Sequence, residues 1–136
     1  MAGAKGYKDL IVWQRAAKFV VEVYKATKDF PRDEIYGITS QIRRAVVSTP
    51  SNIAKGQARN SPRAFATHLN IVLGSAAELE TQLIVAEQIG YLQQSELERL
   101  LAELTEIIKM IHGLLNVQKA KWSRGQVCHR NGIFSL

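Results

Sequence analysis

The sequence has a single cysteine, Cys128, so no internal disulfide can form. That excludes a cross-linked fold and fits a reducing compartment. Nowhere do about 18 uncharged apolar residues follow one another, so no transmembrane helix is expected. The opening MAGAKGYKDL lacks the apolar run of a signal peptide. A cytoplasmic protein with no membrane partner is the expectation. Aromatic residues make up 7% of the chain and most fall on apolar stripes, which gives no support to sequence-specific recognition of single strands by stacking. The three prolines, Pro31, Pro50 and Pro62, all fall where a helical reading can use them. What is present suits one domain with one core: 136 residues, 46% of them hydrophobic.

Charge is abundant but unevenly placed. The net charge is +6. Residues 1–65 carry 12 Lys or Arg against 5 Asp or Glu, residues 66–118 carry 2 against 7, and residues 119–136 carry 4 against none. A chain divided in this way can present a basic face to nucleic acid and an acidic face to a basic surface, including that of another copy. Solubility alone is the plainer explanation.

Four helical periods follow in order. The first helix is expected over about 8–28. Leu10, Trp13, Ala17, Val20, Tyr24 and Thr27 form one stripe, and Val12, Ala16, Phe19, Val23, Ala26 and Phe30 a second beside it. The two together are wider than a two-stranded coiled coil needs. Pro31 stops this helix. The second helix is expected over about 33–59, on Ile35, Ile38, Ile42, Ala45, Thr49 and Ile53, with a kink at Pro50. Ser48, Thr49 and Ser51 are candidates to satisfy the groups that the proline frees.

The third helix opens at Ser61-Pro62, a favoured N-cap and first residue, and closes at Gly90. The Gly74-Ser75 pair within it suggests a close helix crossing. The fourth opens at Ser95 with Glu98 completing a capping box, and fades near Gln118. Short linkers make sequential helices antiparallel neighbours. The expected fold is all-α, an antiparallel up-down-up-down four-helix bundle over 8–118, with an N-terminal arm, 1–7, and a basic C-terminal tail, 119–136.

Catalytic and metal chemistry find little to work with. No Glu is followed three residues later by His, as ferritin-like metal bundles require. His68 and His112 stand alone on helices, and the adjacent Cys128-His129 lacks the second pair of a zinc site. No Ser or Thr has a recognisable base or elbow motif, and Gly56-Gln57-Ala58-Arg59 is not a phosphate loop. Glu78 and Glu80 fall about 200° apart on a helix and cannot act as a pair. The expectation is a non-enzyme with no cofactor and no metal.

The cations are more informative. At about 100° per residue Arg44, Ser48, Ser51, Lys55 and Arg59 fall within about 80° of one another, opposite the core stripe. Arg43 lies beside this ridge and Arg63 continues the run into the third helix. Arg15, Lys18 and Lys25, with Lys8, form a further row on the first helix, interrupted by Glu22. These eight residues, Arg43, Arg44, Lys55, Arg59, Arg63, Arg15, Lys18 and Lys25, are the candidate contacts to RNA or DNA, because recognition of a phosphate backbone is mainly electrostatic. A solvated surface, or pairing of Arg43 and Arg44 with acidic helices of another copy, is the competing reading.

Several of these segments resemble one family. Phe30-Pro31, then Glu34-Ile35-Tyr36-Gly37-Ile38-Thr39-Ser40-Gln41-Ile42-Arg43-Arg44-Ala45, then Asn52-Ile53-Ala54 and Gly56 look like its second-helix signature. Gly74-Ser75, Glu78-Leu79-Glu80 and Gly90-Tyr91-Leu92 resemble its third. The family is the bacterial four-helix-bundle group named for proteins encoded in intervening sequences of 23S rRNA genes, and the resemblance covers roughly 7–118. It implies a bundle that assembles with itself into a ring, typically a pentamer. It also implies kinship with accessory variability proteins of diversity-generating retroelements, which bind nucleic acid and a reverse transcriptase. Where the family has Asn-Ile-Ala-Glu-Gly, this chain has Lys55 in place of the Glu, a change of two charge units in the direction that favours phosphate. The alternative role implied is a protein-interaction scaffold, for example for a reverse transcriptase. The Gly74-Ser75 crossing and the acidic third and fourth helices are where copies are expected to meet.

Overall fold

The computed structural model describes residues 6–128, all of its regular structure helical. Residues 1–5 of the expected arm and 129–136 of the expected tail lie outside the described residues. The four α-helices are α1, Ile11–Ala26, α2, Ile38–Ala58, α3, Pro62–Gln88, and α4, Gln94–Cys128. Each packs on its neighbours in sequence, and α1 closes the ring against α4. Short connections leave sequential helices antiparallel, the bundle that the periodicity predicts. Val23, Ile42, Ile53, Leu69, Leu83 and Ile111 are among the fully buried core residues. Burying each such side chain stabilises the fold by about 1.5–3 kcal/mol.

The helix ends differ from expectation for local reasons. Leu10 is extended, so α1 starts at Ile11, behind a 3-10 turn at Tyr7–Asp9. The Tyr7 ring folds back edge-on to Trp13, 5.2 Å away. α2 starts at Ile38, not near Asp33. Gly37 is non-helical, and Arg32–Glu34 form a separate 3-10 turn. Glu34 accepts a 2.8 Å hydrogen bond from Tyr91, which holds this turn against the α3–α4 corner. Ile35 is therefore exposed rather than first in the core stripe. α2 continues through a buried Pro50. Of the hydroxyls expected to serve the groups freed there, Ser48 is hydrogen-bonded to Ser75 on α3, at 2.9 Å. Thr49 Oγ1 has no protein partner among the described residues.

Both ends of α3 follow the sequence reading. Ser61 Oγ accepts from the Ala64 N–H, and Pro62 is the first helical residue. Gly90 has φ 91° and its N–H bonds the Glu87 carbonyl, while the Tyr91 N–H reaches the Ala86 carbonyl at 2.9 Å. That pair of bonds is the Schellman motif, which favours glycine at the left-handed position. α3 is also long and apolar enough to suit a membrane by composition, with a mean hydropathy of 1.2 over 18 residues. Its stripe of Phe65, Leu69, Val72, Ala76, Leu79 and Leu83 is buried in the bundle.

Three expectations are corrected. The close α2–α3 approach is at Gly56, not at Gly74. A Cβ on Gly56 would lie 2.8 Å from Phe65 Cδ1 and 2.9 Å from His68 Cβ, whereas one on Gly74 would meet nothing within 4 Å. The fourth helix does not fade near Gln118 but runs on to Cys128. Nor does it open on a Ser95–Glu98 capping box: Gln94 is its first residue, and Glu98 accepts a 3.4 Å bond from the Gln94 side chain.

Candidate nucleic-acid interface

α2 turns its apolar stripe inward, which forces the opposite stripe outward. Arg44, Lys55 and Arg59 are exposed there, and none has an ion-pair partner among the described residues. From Arg44 to Arg59 the row covers about 22 Å of helix. Lys55 stands in the last turn of α2, where the helix dipole favours a cation. Beside the row a chain of polar contacts ties α2 to α3. Asn52 Nδ2 donates to Ser48 Oγ at 3.0 Å, and the His68 Nδ1–H donates to Asn52 Oδ1 at 3.1 Å. Glu78 shares a shallow hollow with Arg44, Ser48 and Ser75.

The other candidate cations do not join this row. Arg43 is one residue from Arg44 but about 100° round the helix. It lies over the Tyr24 ring at 4.5 Å and donates to Thr27 Oγ1 at 3.0 Å, tying α2 to α1. Arg15 faces α4 and holds Glu103 with two bonds, of 3.1 and 2.7 Å. That hydrogen bonding raises its already high pKa. Lys18 is exposed, but it shares its hollow with Glu22, Glu103 and Glu106. Lys25 is exposed near Lys28, Arg43 and the apolar Val21 and Tyr24. The α1–α4 flank is thus mixed in sign, and the row of unpaired cations belongs to α2.

Arg63, in the first turn of α3, carries the row round the corner. Its guanidinium lies 5.3 Å from the centre of the Trp122 ring. Sequence reasoning missed this partner because the apolar stripe of α4 is broken by Gln118. Gln118 is nonetheless buried and on the stripe, and Ile111, Leu115, Gln118 and Trp122 keep a 4-3-4 rhythm. That rhythm was the available signal. With the helix extended, Lys119, Lys121 and Arg124 stand within three residues of Trp122, all exposed. Among the described residues no group of three or more His, Cys, Asp or Glu side chains could hold a metal ion.

These features define a four-helix bundle with one cationic outer edge. A family model described as 23S rRNA-intervening sequence protein matches residues 8–113, and the chain belongs to that family. One similar solved structure is a protein of unknown function from the S23 ribosomal protein family of Bacteroides thetaiotaomicron. It is 25% identical, with a TM-score of 0.69, and the match covers 77% of this chain and 98% of that one. No curated protein matches this chain. The family match ends at residue 113, ahead of Trp122 and the cations around it.

Proposed function

We propose that this protein is a non-enzymatic nucleic-acid-binding bundle that works as a homo-oligomer, with a ring of five copies as the expected assembly. The observation that carries the reading is the unpaired row Arg44, Lys55, Arg59 and Arg63. It stands on a stretch with no Asp or Glu between Glu34 and Glu78. Such a row suits the phosphate backbone, whose binding releases counterions and is tolerant of sequence. Repetition in an oligomer multiplies weak contacts into useful avidity.

The test is binding of labelled RNA and DNA across a salt series, by fluorescence anisotropy. The expected result is a steep fall in affinity with salt, and marked weakening by Arg44→Glu combined with Lys55→Glu. Affinity that barely changes with salt, or a double variant that binds as well as the parent, overturns the reading. Light scattering tests the ring: a monomer at micromolar concentration overturns it.

A second reading, a protein-interaction scaffold or accessory subunit such as one for a reverse transcriptase, is favoured by the α1–α2 flank. Val21, Tyr24, Val47 and Ile35 are exposed there, and Tyr36 is 94% exposed. Exposed apolar side chains grouped in this way suit a protein partner, including another copy. Capture of one protein partner, insensitive to nuclease, would support this role over the first.

A further inference from the structure

The extension of α4 changes what the cationic edge can be. The antiparallel order puts the C-terminus of α2, the N-terminus of α3 and the C-terminal part of α4 at one end of the bundle. Lys55, Arg59 and Arg63 come from the first two, and Lys119, Lys121 and Arg124 from the third. No acidic residue of α2, α3 or α4 stands among them: none occurs between Glu34 and Glu78, and none after Glu106. From α1 and the turn before it, the acid at this end is Asp9.

The extension is tied to the bundle. Gln118 is buried, and Trp122, 39% exposed, lies under the Arg63 guanidinium at 5.3 Å. A cation held over an indole face stays charged and accessible on its other side. At about 100° per residue, Lys119 falls to one side of Trp122 and Lys121 to the other, while Arg124 falls about 160° away on the outer face of α4. The extension is therefore an anchored arm with cations on both flanks. Six positive charges at one end of the bundle, with no acid of α2, α3 or α4 among them, make a field that attracts an anion.

We propose that residues 119–124 of α4, with Arg59 and Arg63, form a phosphodiester-binding end of the bundle, so that nucleic acid grips the α2–α3 corner and not only the side of α2. This rests on the nucleic-acid reading above and adds an element that the family match does not reach.

The experiment compares the full chain with the triple variant Lys119→Gln, Lys121→Gln, Arg124→Gln, and with Arg44→Gln plus Lys55→Gln as a separate arm. Duplex DNA, duplex RNA and single-stranded RNA serve as probes, to tell apart the sources of the same phosphodiester chemistry. Circular dichroism first establishes that each variant keeps the helix content of the parent. The triple variant is expected to bind more weakly and to lower the slope of log affinity against log salt by about 2–3, because each backbone contact contributes roughly 0.7–0.9. A triple variant with the affinity and slope of the full chain, while the α2 variant is weakened, overturns this inference and leaves the general reading standing. No binding of any probe by the full chain overturns both. Tighter binding to phosphatidylserine vesicles than to all three nucleic acids also overturns it, and assigns the end to a membrane surface.

Discussion

The two ends of the bundle use charge in opposite ways. At the end that carries the α1–α2 and α3–α4 turns, acidic and basic groups are mixed and one cluster is matched, while Lys25, Lys28 and Arg32 have no ion pair among the described residues. Arg99 binds Glu96 at 2.6 Å and Glu22 of α1 at 2.7 Å, and Tyr91 donates to Glu34. At the end that carries the α2–α3 turn, Lys55, Arg59, Lys119, Lys121 and Arg124 have no ion pair among the described residues, and Arg63 meets an aromatic face. Exposed ion pairs contribute at most about 1 kcal/mol each. The matched end is thus pinned by several small contacts that join successive elements. The unmatched end gains no such contact and carries repulsion among its cations. A bundle whose core already holds the helices together can tolerate that arrangement.

The contrast can be broken most severely at Gly56, which lets α2 and α3 close tightly beneath the cationic corner. Gly56→Val forces the new side chain into Phe65 and His68, and should destabilise the protein by about 3 kcal/mol in urea unfolding. Gly74→Ala meets nothing and should instead stabilise it, by up to about 1 kcal/mol. Equal effects of the two would refute the assignment of the close crossing. Next in size is Trp122→Ala. It removes the ring beneath Arg63 and should cost about 1 kcal/mol, with amide exchange accelerated over 119–124 and unchanged in the core of α2. Protection of the extension that survives the substitution would mean that Trp122 does not anchor it.

At the matched end, Arg99→Ala should cost about 0.5–1 kcal/mol, and the loss should shrink at high salt. A loss that is insensitive to salt would show that Arg99 acts by packing. The smallest effect is one of pH. The hydrogen bond from Arg99 holds the Glu96 carboxyl below its ordinary value of 4.5. A lowered folded pKa contributes stability that is fully present above 4.5 and is lost as pH falls through the folded value. Glu96→Gln should therefore narrow its stability deficit against the parent as the medium is acidified below that point. A deficit that stays constant with pH would remove Glu96 from the acid response.

Much of the fold was legible because helix periodicity is a local property. Of the stripe Val12, Ala16, Phe19, Val23, Ala26 and Phe30, all but the half-buried Ala26 are buried as the spacing requires. Ser61, Pro62 and Gly90 act where capping chemistry puts them. The starts of α1 and α2 were less legible, because Tyr7 packing edge-on against Trp13 and Tyr91 reaching Glu34 are contacts between separate segments. Of the eight candidate cations, the α2 ridge could be placed from angles alone. What became of Arg43 and Arg15 could not, since Tyr24, Thr27 and Glu103 lie on other helices.

The sequence by itself determined that four apolar stripes exist, that they follow a helical period, and that positive charge collects in the first half and after Gln118. Each of these depends on residue order along one helix, where 3.6 residues per turn converts spacing directly into a face. Only the tertiary structure decided which cations are used up in holding helices together and which remain. It also decided that Gly56 rather than Gly74 sits at the close crossing, and that the residues after Gln118 continue α4 to Arg63. Those outcomes depend on which helices become neighbours and at what height. That is set by packing a single shared core, and no stretch of chain carries the information alone.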